Sequence, residues 1–213
     1  MSQVKSTFVH LHTHSHFSFL QALPKIPELV SAAKAQGMQA LGITDAGNLH
    51  AGIDFYKACK KAGIHGVLGV DAYLASGSRF DPDSESGRRA RLVLLAKNNQ
   101  GYTNLLALIT QSFTEGFFEK PRMDKELLKE HSEGLIALIP SFAGEVAGQL
   151  KAGDRVGARA VIAQYISIFG KDNVYLEITH HPKVDGHEAR MNIIKELARE
   201  AGVLLVADRK SVV

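Results

Sequence analysis

Residues 8–16 read Phe8-Val9-His10-Leu11-His12-Thr13-His14-Ser15-His16, an apolar segment in which every second residue from position 10 is a histidine. Side chains at i and i+2 of a β-strand point to the same face, so a strand that begins at Phe8 places His10, His12 and His14 on one face and Val9 and Leu11 on the other. Converging neutral imidazoles are suitable ligands for zinc, manganese or iron. Alternation within an apolar segment disfavours an affinity-tag remnant. The spacing alone leaves a metal site and a polar strand end equally open.

The chain outward from this segment alternates short β-type runs with amphipathic helical runs. The predicted strands are Phe8–His12, Ala40–Thr44, Gly66–Leu74, Arg91–Ala96, Leu135–Ile139, Val174–Ile178 and Val203–Ala207. The predicted helices are Ile26–Gln36, Asn48–Ala62, Arg155–Phe169 and Glu188–Ala201, each followed by a glycine. This alternation is typical of parallel strands joined by crossover helices. Since neither GxGxxG nor a P-loop is present, the pattern favours an α/β barrel of about seven βα units, with a site at the carboxyl ends of its strands.

Composition narrows the class of protein further. The 213 residues carry a net charge of +3, too small to indicate nucleic-acid binding by charge alone. A hydrophobic content of 45% is sufficient for a packed core, and the single cysteine, Cys59, excludes an internal disulfide. No apolar run approaches 18 residues, so the sequence predicts no membrane span and no membrane partner. These features favour a cytoplasmic chain with one domain over residues 1–213.

Two segments and the end of the chain have no regular pattern. Ser76–Arg89 is polar and rich in glycine and serine, which predicts a surface loop, and Phe117–Met123 is predicted to be a proline-containing connector. The sequence stops at Val213, six residues after the last predicted strand, without a closing helix. We therefore expect residues 1–213 to be one module of a longer protein.

Two runs carry a resemblance to a known family. They are Phe8–Ser15 and the run Gly37-Met38-Gln39-Ala40-Leu41-Gly42-Ile43-Thr44-Asp45-Ala46-Gly47-Asn48. Together they resemble the PHP (polymerase and histidinol phosphatase) family. Collinear stretches at 55–64, 94–105, 132–138 and 174–178 resemble the branch that opens bacterial replicative DNA polymerase III alpha subunits. One HxH pair is a weak signal, but the whole set in order covers nearly the entire chain.

The resemblance implies a distorted (βα)7 TIM-like barrel, the PHP fold, with a trinuclear metal site at its carboxyl-end mouth. His12 and His14 match the family's HxH pair, and Asp71 stands at the third-strand acidic position. Other implied ligand positions carry Gln21, Ala46, Arg91, Ser141 and Val212. Because the guanidinium of Arg91 is always charged, it would repel a metal cation. We hypothesise that Arg91 instead pairs with Asp71 or Asp45.

The function implied by the resemblance is therefore a degenerate PHP domain. It would have no catalytic residue and no required cofactor, and would hold at most one residual divalent metal, zinc or manganese. Its role would be structural support and docking of a proofreading exonuclease subunit. Its other partners would be the rest of the alpha subunit, which extends DNA by nucleotidyl transfer, and DNA through that parent enzyme. The alternative is an active metal-dependent phosphoesterase or 3′–5′ exonuclease that uses His12, His14 and Asp71.

Overall fold

The structure, a computed structural model, describes residues 8–81 and 90–208. Its strands are β1 Ala40–Ala46, β2 His65–Leu74, β3 Ala90–Ala96, β4 Phe117–Phe118, β5 Lys120–Met123, β6 Leu135–Ile139, β7 Val174–Ile178 and β8 Leu204–Ala207. Its helices are α1 Ile26–Ala35, α2 Gly52–Ala62, α3 Asn99–Thr114, α4 Lys125–Glu130, α5 Glu145–Lys151, α6 Arg155–Phe169 and α7 His187–Ala201, with a 3₁₀ turn at Lys171–Asn173. No helix within the described ranges is long and apolar enough to cross a membrane.

The eight described strands form one curled, mixed sheet in the order β4-β5-β2-β3-β6-β7-β8, with β1 also paired to β2. Strand β1 runs parallel to β2 from the Ala40–His65 pair to the Ala46–Asp71 pair. Strand β3 is antiparallel to both of its neighbours, β2 and β6. The remaining long pairings, β6 with β7 and β7 with β8, are parallel.

Most predicted elements are confirmed to within a few residues. The bounds of β6, β7 and α6 match the prediction at both ends. Asp154 caps α6 by accepting a hydrogen bond from the backbone nitrogen of Gly157 at 2.8 Å. Gly63 and Gly202 end α2 and α7 in left-handed conformations, which glycine adopts without a Cβ clash. Local capping and periodicity therefore determine these elements.

The first predicted strand, Phe8–His12, is wrong as a strand. The segment has no regular secondary structure, although Gly42 donates from its backbone nitrogen to the His10 carbonyl at 2.7 Å and Thr44 donates from its backbone nitrogen to the Thr13 carbonyl at 2.8 Å. A Cβ on Gly42 would lie 2.7 Å from the Leu11 carbonyl oxygen. The segment thus lies against β1 because a glycine there leaves room for it.

Two further predictions are corrected. Phe117–Met123 contains a short hairpin, β4–β5, rather than a plain connector. Of the predicted distorted (βα)7 TIM-like barrel, the described residues confirm the α/β class and a curled sheet, but that sheet is mixed because β3 is antiparallel to both neighbours. A parallel pair needs a crossover connection, usually a helix, whereas the polar sequence of Ser76–Arg89 predicts a loop, which suits the antiparallel pairing of β2 and β3. Residues 82–89 of that predicted loop lie outside the described part of the chain.

The curled sheet separates an outer from an inner apolar cluster. The outer face packs against α3 to α7, with Leu92, Leu94 and Leu176 among its fully buried members. Val93, Leu95 and Leu138 alternate with these residues and form a smaller cluster inside the curl. This alternation points every second strand residue into the interior, where the polar site begins.

Candidate metal centre

The candidate site lies inside the curl, at the carboxyl ends of β2 and β7. Asp71 on β2 and Glu177 on β7 are both buried and occupy inward-facing positions of their strands. Asp208, also buried, directly follows β8. Each strand therefore delivers one carboxylate to the same end of the sheet, where the 8–16 segment brings in its histidines.

His12 bridges two of these carboxylates. Its Nδ1 lies 2.7 Å from Glu177 Oε2, and its Nε2 lies 3.3 Å from Asp71 Oδ2. Because carboxylate oxygens only accept hydrogen bonds, this arrangement suits an imidazole that carries a proton on both nitrogens. His12 is thus held between two anions by contacts at both ends of its ring.

Asp71 is the centre of the cluster. His14 Nε2 lies 3.1 Å from Asp71 Oδ2. Arg91 donates from Nε to Oδ1 at 3.0 Å and reaches Oδ2 from Nη2 at 2.6 Å. The guanidinium also lies over the ring of Tyr73, 4.0 Å from its centroid. Of the two partners hypothesised for Arg91, the structure therefore shows Asp71.

The other hypothesised partner, Asp45, has a different role. Ser15 donates to it from both its backbone nitrogen and its hydroxyl, each at 2.7 Å, and Ser18 donates from its hydroxyl at 2.6 Å. Asp45 therefore anchors the turn that follows His14.

These contacts shift the pKa values of the two central groups in opposite directions. Burial by itself lowers the pKa of His12, but the hydrogen bonds and negative charges of Asp71 and Glu177 outweigh it and raise the pKa to about 10. Burial by itself raises the pKa of Asp71, but hydrogen bonds from His12 and His14 and the positive charge of Arg91 hold it well below the usual range. Both shifts favour a protonated His12 beside an ionised Asp71.

Two overlapping groups of described side chains have ligand atoms close enough to hold a metal ion. One is His12, His14 and Asp71, and the other is His12, Glu177 and Asp208, with ligand atoms within 4.8 Å of one another in each group. Asp208 Oδ1 lies 3.4 Å from His10 Nδ1, whereas its buried Oδ2 has no hydrogen-bond partner. Two imidazoles with a carboxylate, or one imidazole with two, are donor sets typical of zinc and manganese.

The remaining implied ligand positions carry other contacts. Gln21 donates from Nε2 to the Tyr73 hydroxyl at 3.1 Å. Ala46 ends β1, and its backbone nitrogen donates to the Ser18 hydroxyl at 3.0 Å. Ser141 is buried with its hydroxyl 3.1 Å from that of Thr179. Val212 lies outside the described residues.

Glu177 and the His10–Asp208 contact were not predicted as parts of the site. Glu177 had a signal in the sequence, because it is an acidic residue near the carboxyl end of a predicted strand, in phase with Tyr175 inside the curl. Asp208 was noticed near the expected final ligand positions but out of register with them. Its contact with a residue 198 positions earlier depends on the curl of the whole sheet.

The curled sheet, and the carboxylates at its strand ends beside an HxH pair, agree with one class of domain. The sequence model of the PHP domain matches residues 10–181, and the chain belongs to this family. Its relatives include DNA polymerase III subunit alpha of Treponema pallidum, 39% identical over 204 residues, which are 95% of this chain and 17% of that protein. DNA polymerase III subunit alpha of Thermus aquaticus is 38% identical over 209 residues, 95% of this chain and 17% of that protein. The chain thus spans about a sixth of the length of these relatives.

Comparison with solved structures supports only the fold of this chain, because their sequence identity to it is low. An amidohydrolase from Chromobacterium violaceum superposes with a TM-score of 0.59 at 12% identity, covering 95% of this chain and 86% of that one. A candidate metal-dependent phosphoesterase from Bifidobacterium adolescentis gives a TM-score of 0.58 at 14% identity, covering 94% of this chain and 86% of that one. The curled sheet is therefore shared with more distant proteins.

Proposed function

We propose that this chain is the PHP domain of a DNA polymerase III alpha subunit. In this domain the mouth of the sheet, at the carboxyl ends of β2 and β7, no longer holds a centre of several metal ions. The observation that carries the proposal is the position of Arg91, whose guanidinium contacts both oxygens of Asp71. A fixed positive charge there repels a second cation beside the same carboxylate. The 39% identity to an alpha subunit over nearly the whole chain supports the parent assignment.

The two candidate donor groups share His12, so we infer that they hold one ion rather than three. His12, His14 and Asp71 would hold a single zinc or manganese ion, which when bound supplies a Lewis acid at the mouth. Ala46 offers no donor atom, and the Ser141 hydroxyl is engaged with Thr179 inside the protein. Without an ion, Arg91 and the protonated His12 balance the charge of Asp71 and Glu177, so the mouth does not depend on metal.

The role that follows is structural. In this proposal the domain supports the polymerase core and docks a proofreading exonuclease subunit, while the rest of the alpha subunit binds DNA and performs nucleotidyl transfer in the cytoplasm. A charge-balanced mouth is suited to that role because its stability does not vary with the supply of metal. Residues 1–213 then act as one supporting module rather than as a separate enzyme.

Metal analysis of the purified chain tests the proposal. We expect at most one zinc or manganese ion per chain after equilibration with both metals, and no hydrolysis of bis(p-nitrophenyl) phosphate. Three tightly bound ions per chain would overturn the degenerate site. Co-purification of a proofreading exonuclease with the full alpha subunit, lost when residues 1–213 are deleted, tests the docking role separately.

A second candidate function is an active phosphoesterase or 3′–5′ exonuclease. The group His12, His14 and Asp71 favours it, because these side chains could hold one metal ion. If this second function is correct, we expect the purified chain to hydrolyse a phosphoester in the presence of metal. This activity should disappear in both His12→Ala and His14→Ala. Val156→Ser, a change on the distant surface of α6, serves as the matched control.

A further inference from the structure

An open cavity of about 910 Å³ lies beside the mouth, between the loop that follows β7 and the first turn of α7. Its wall carries His180, His181 and His187, and none of these histidines belongs to either candidate group at the mouth. Three carboxylates and one lysine share the wall: Asp185, Glu188, Asp208 and Lys195. The excess of carboxylates gives this wall a negative charge, which attracts cations.

His187 is buried, with 3% of its surface exposed, and one of its ring nitrogens is already engaged. Its Nε2 lies 2.8 Å from the backbone carbonyl oxygen of Thr179. Because a carbonyl oxygen only accepts, Nε2 carries the proton, and Nδ1 of the neutral imidazole keeps its lone pair. This Nδ1 is buried without a hydrogen-bond partner. A buried polar atom without a partner in a folded protein calls for an explanation, such as a bound ion.

The orientation of His187 is that of a metal ligand. A histidine that binds metal through one ring nitrogen almost always donates the other N–H to a carboxylate, a backbone carbonyl or water. His181 supplies a second imidazole, with its ring centroid 5.2 Å from that of His187 and the ring planes at 82°. Two imidazoles that bind one ion at about 2 Å in neighbouring coordination positions have centroids roughly 5 Å apart. The spacing of this pair therefore suits a shared ion.

Phe142 offers a simpler explanation for part of this arrangement. Its ring stacks on His187 with centroids 5.1 Å apart and meets His181 edge-on at 5.1 Å. Aromatic packing therefore accounts for the positions of the three rings. It leaves Nδ1 of His187 buried without a partner, whereas an ion shared with His181 accounts for both the positions and this nitrogen.

We propose that His181 and His187 form a second metal site, separate from the mouth, for a late transition ion that prefers nitrogen ligands, Cu²⁺ or Ni²⁺. Water or the exposed carboxylates of Asp185 and Glu188 would complete the mixed nitrogen and oxygen donor set that is typical of these ions. Zinc sites in proteins use three or four protein ligands, and manganese prefers oxygen, so two imidazoles hold neither firmly. The zinc and manganese content expected from the proposed function is therefore unchanged.

Equilibrium dialysis of the purified chain against micromolar free Cu²⁺ tests this site. His181→Phe keeps a ring beside Phe142 but has no ligand atom, and position 181 is only partly buried. We expect this variant to bind one Cu²⁺ ion fewer per chain than the wild type. The affinity of the site should fall at least about 100-fold, because residues that merely orient a ligand already contribute about 10- to 100-fold. His65→Phe, which removes an exposed histidine at the start of β2, is the control and should bind as much Cu²⁺ as the wild type.

A second variant addresses His187 itself. His187→Gln retains an amide nitrogen that can donate to the Thr179 carbonyl but loses the imidazole, so we expect the same loss of one Cu²⁺ ion. The difference between the electron paramagnetic resonance spectra of the wild type and His181→Phe should show coupling to two nitrogen ligands. Unchanged Cu²⁺ binding in both variants would overturn the inference, as would a difference spectrum without nitrogen coupling. An equal loss of bound Zn²⁺ in His181→Phe would overturn the selectivity.

Discussion

The guanidinium of Arg91 holds both carboxylate oxygens of Asp71, with 3.0 Å between Nε and Oδ1 and 2.6 Å between Nη2 and Oδ2. The same Asp71 Oδ2 also faces the Nε2 atoms of His12 and His14. One carboxylate thus contacts three side chains from two separate parts of the chain, the histidine segment and β3. The stability and the metal chemistry of the mouth should therefore both respond to changes at Arg91.

Arg91→Met removes the charge while retaining much of the side-chain volume. We expect a loss of about 3 kcal/mol in the free energy of unfolding in the presence of a chelator, because the Asp71 carboxylate loses its partner inside the protein. We also expect zinc to raise the Tm of this variant more than that of the wild type. Thermal unfolding with and without zinc measures both effects.

The matched control for this change is Arg155→Met. Arg155 pairs with Glu196 and Glu200 on an exposed surface, where ion pairs contribute little. We expect little change in Tm, and the same response of the Tm to zinc as in the wild type. If Arg91→Met were as stable as the wild type in the presence of a chelator, the central role of the Arg91–Asp71 pair would be contradicted.

Gly42→Ala tests how the histidine segment is positioned. The added Cβ would lie 2.7 Å from the Leu11 carbonyl oxygen, so the segment that carries His12 must move away from β1. We expect a loss of about 2 kcal/mol in unfolding free energy, within the range of overpacking changes. Gly148→Ala is the control, since a Cβ on this glycine of α5 has open space, and it should stabilise the protein by roughly 0.5–1 kcal/mol. Denaturant unfolding compares the two, and equal effects would refute the steric explanation.

Asp124→Asn tests a pH dependence away from the mouth. Asp124 caps α4 through Leu127 and pairs with Arg79. Burial by itself raises the pKa of Asp124, but hydrogen bonds from the backbones of Arg79 and Leu127 and the charge of Arg79 outweigh it and lower the pKa below 3.8. Because the folded pKa is depressed, the stabilisation is present above pH 3.8 and disappears as the pH falls through the folded value.

The measurement is the difference in unfolding free energy between the wild type and Asp124→Asn as the pH falls. We expect about 2 kcal/mol at neutral pH, and a difference that shrinks below pH 3.8. Asp154→Asn is the control, because Asp154 caps α6 from an exposed position and asparagine is an equally good cap. If the difference in unfolding free energy between the wild type and Asp124→Asn grew as the pH fell, the depressed pKa assigned to Asp124 would be contradicted.

Cys59 should resist alkylation while the protein is folded. Its side chain lies on the buried face of α2, and burial raises the pKa of the thiol to about 11. Since the thiolate is the reactive form, we expect iodoacetamide at pH 8 to modify the folded protein at least about 100-fold more slowly than the urea-unfolded protein. Mass spectrometry of timed samples measures both rates, and similar rates would show that α2 opens readily.

The sequence by itself determined the elements whose signals are local. Strands β6 and β7 and helix α6 follow from apolar periodicity, an aspartate cap and glycine stops, which act within a few residues. The resemblance to the PHP family also predicted that His12, His14 and Asp71 belong to one site with Arg91 beside them, and the structure brings these four side chains together. That prediction depended on matching the family's motif positions in order along the sequence.

Only the tertiary structure decided the direction of β3, the hairpin β4–β5 and the position of residues 8–16 beside β1, because these depend on which surfaces remain available after the sheet curls. It also brought Glu177 to His12 across 165 positions and Asp208 to His10 across 198. Such contacts have no local signature, since the free energy that fixes them comes from packing the whole sheet. The local sequence pattern therefore indicates the histidines, whereas Glu177 and Asp208 become their partners only when the sheet is folded.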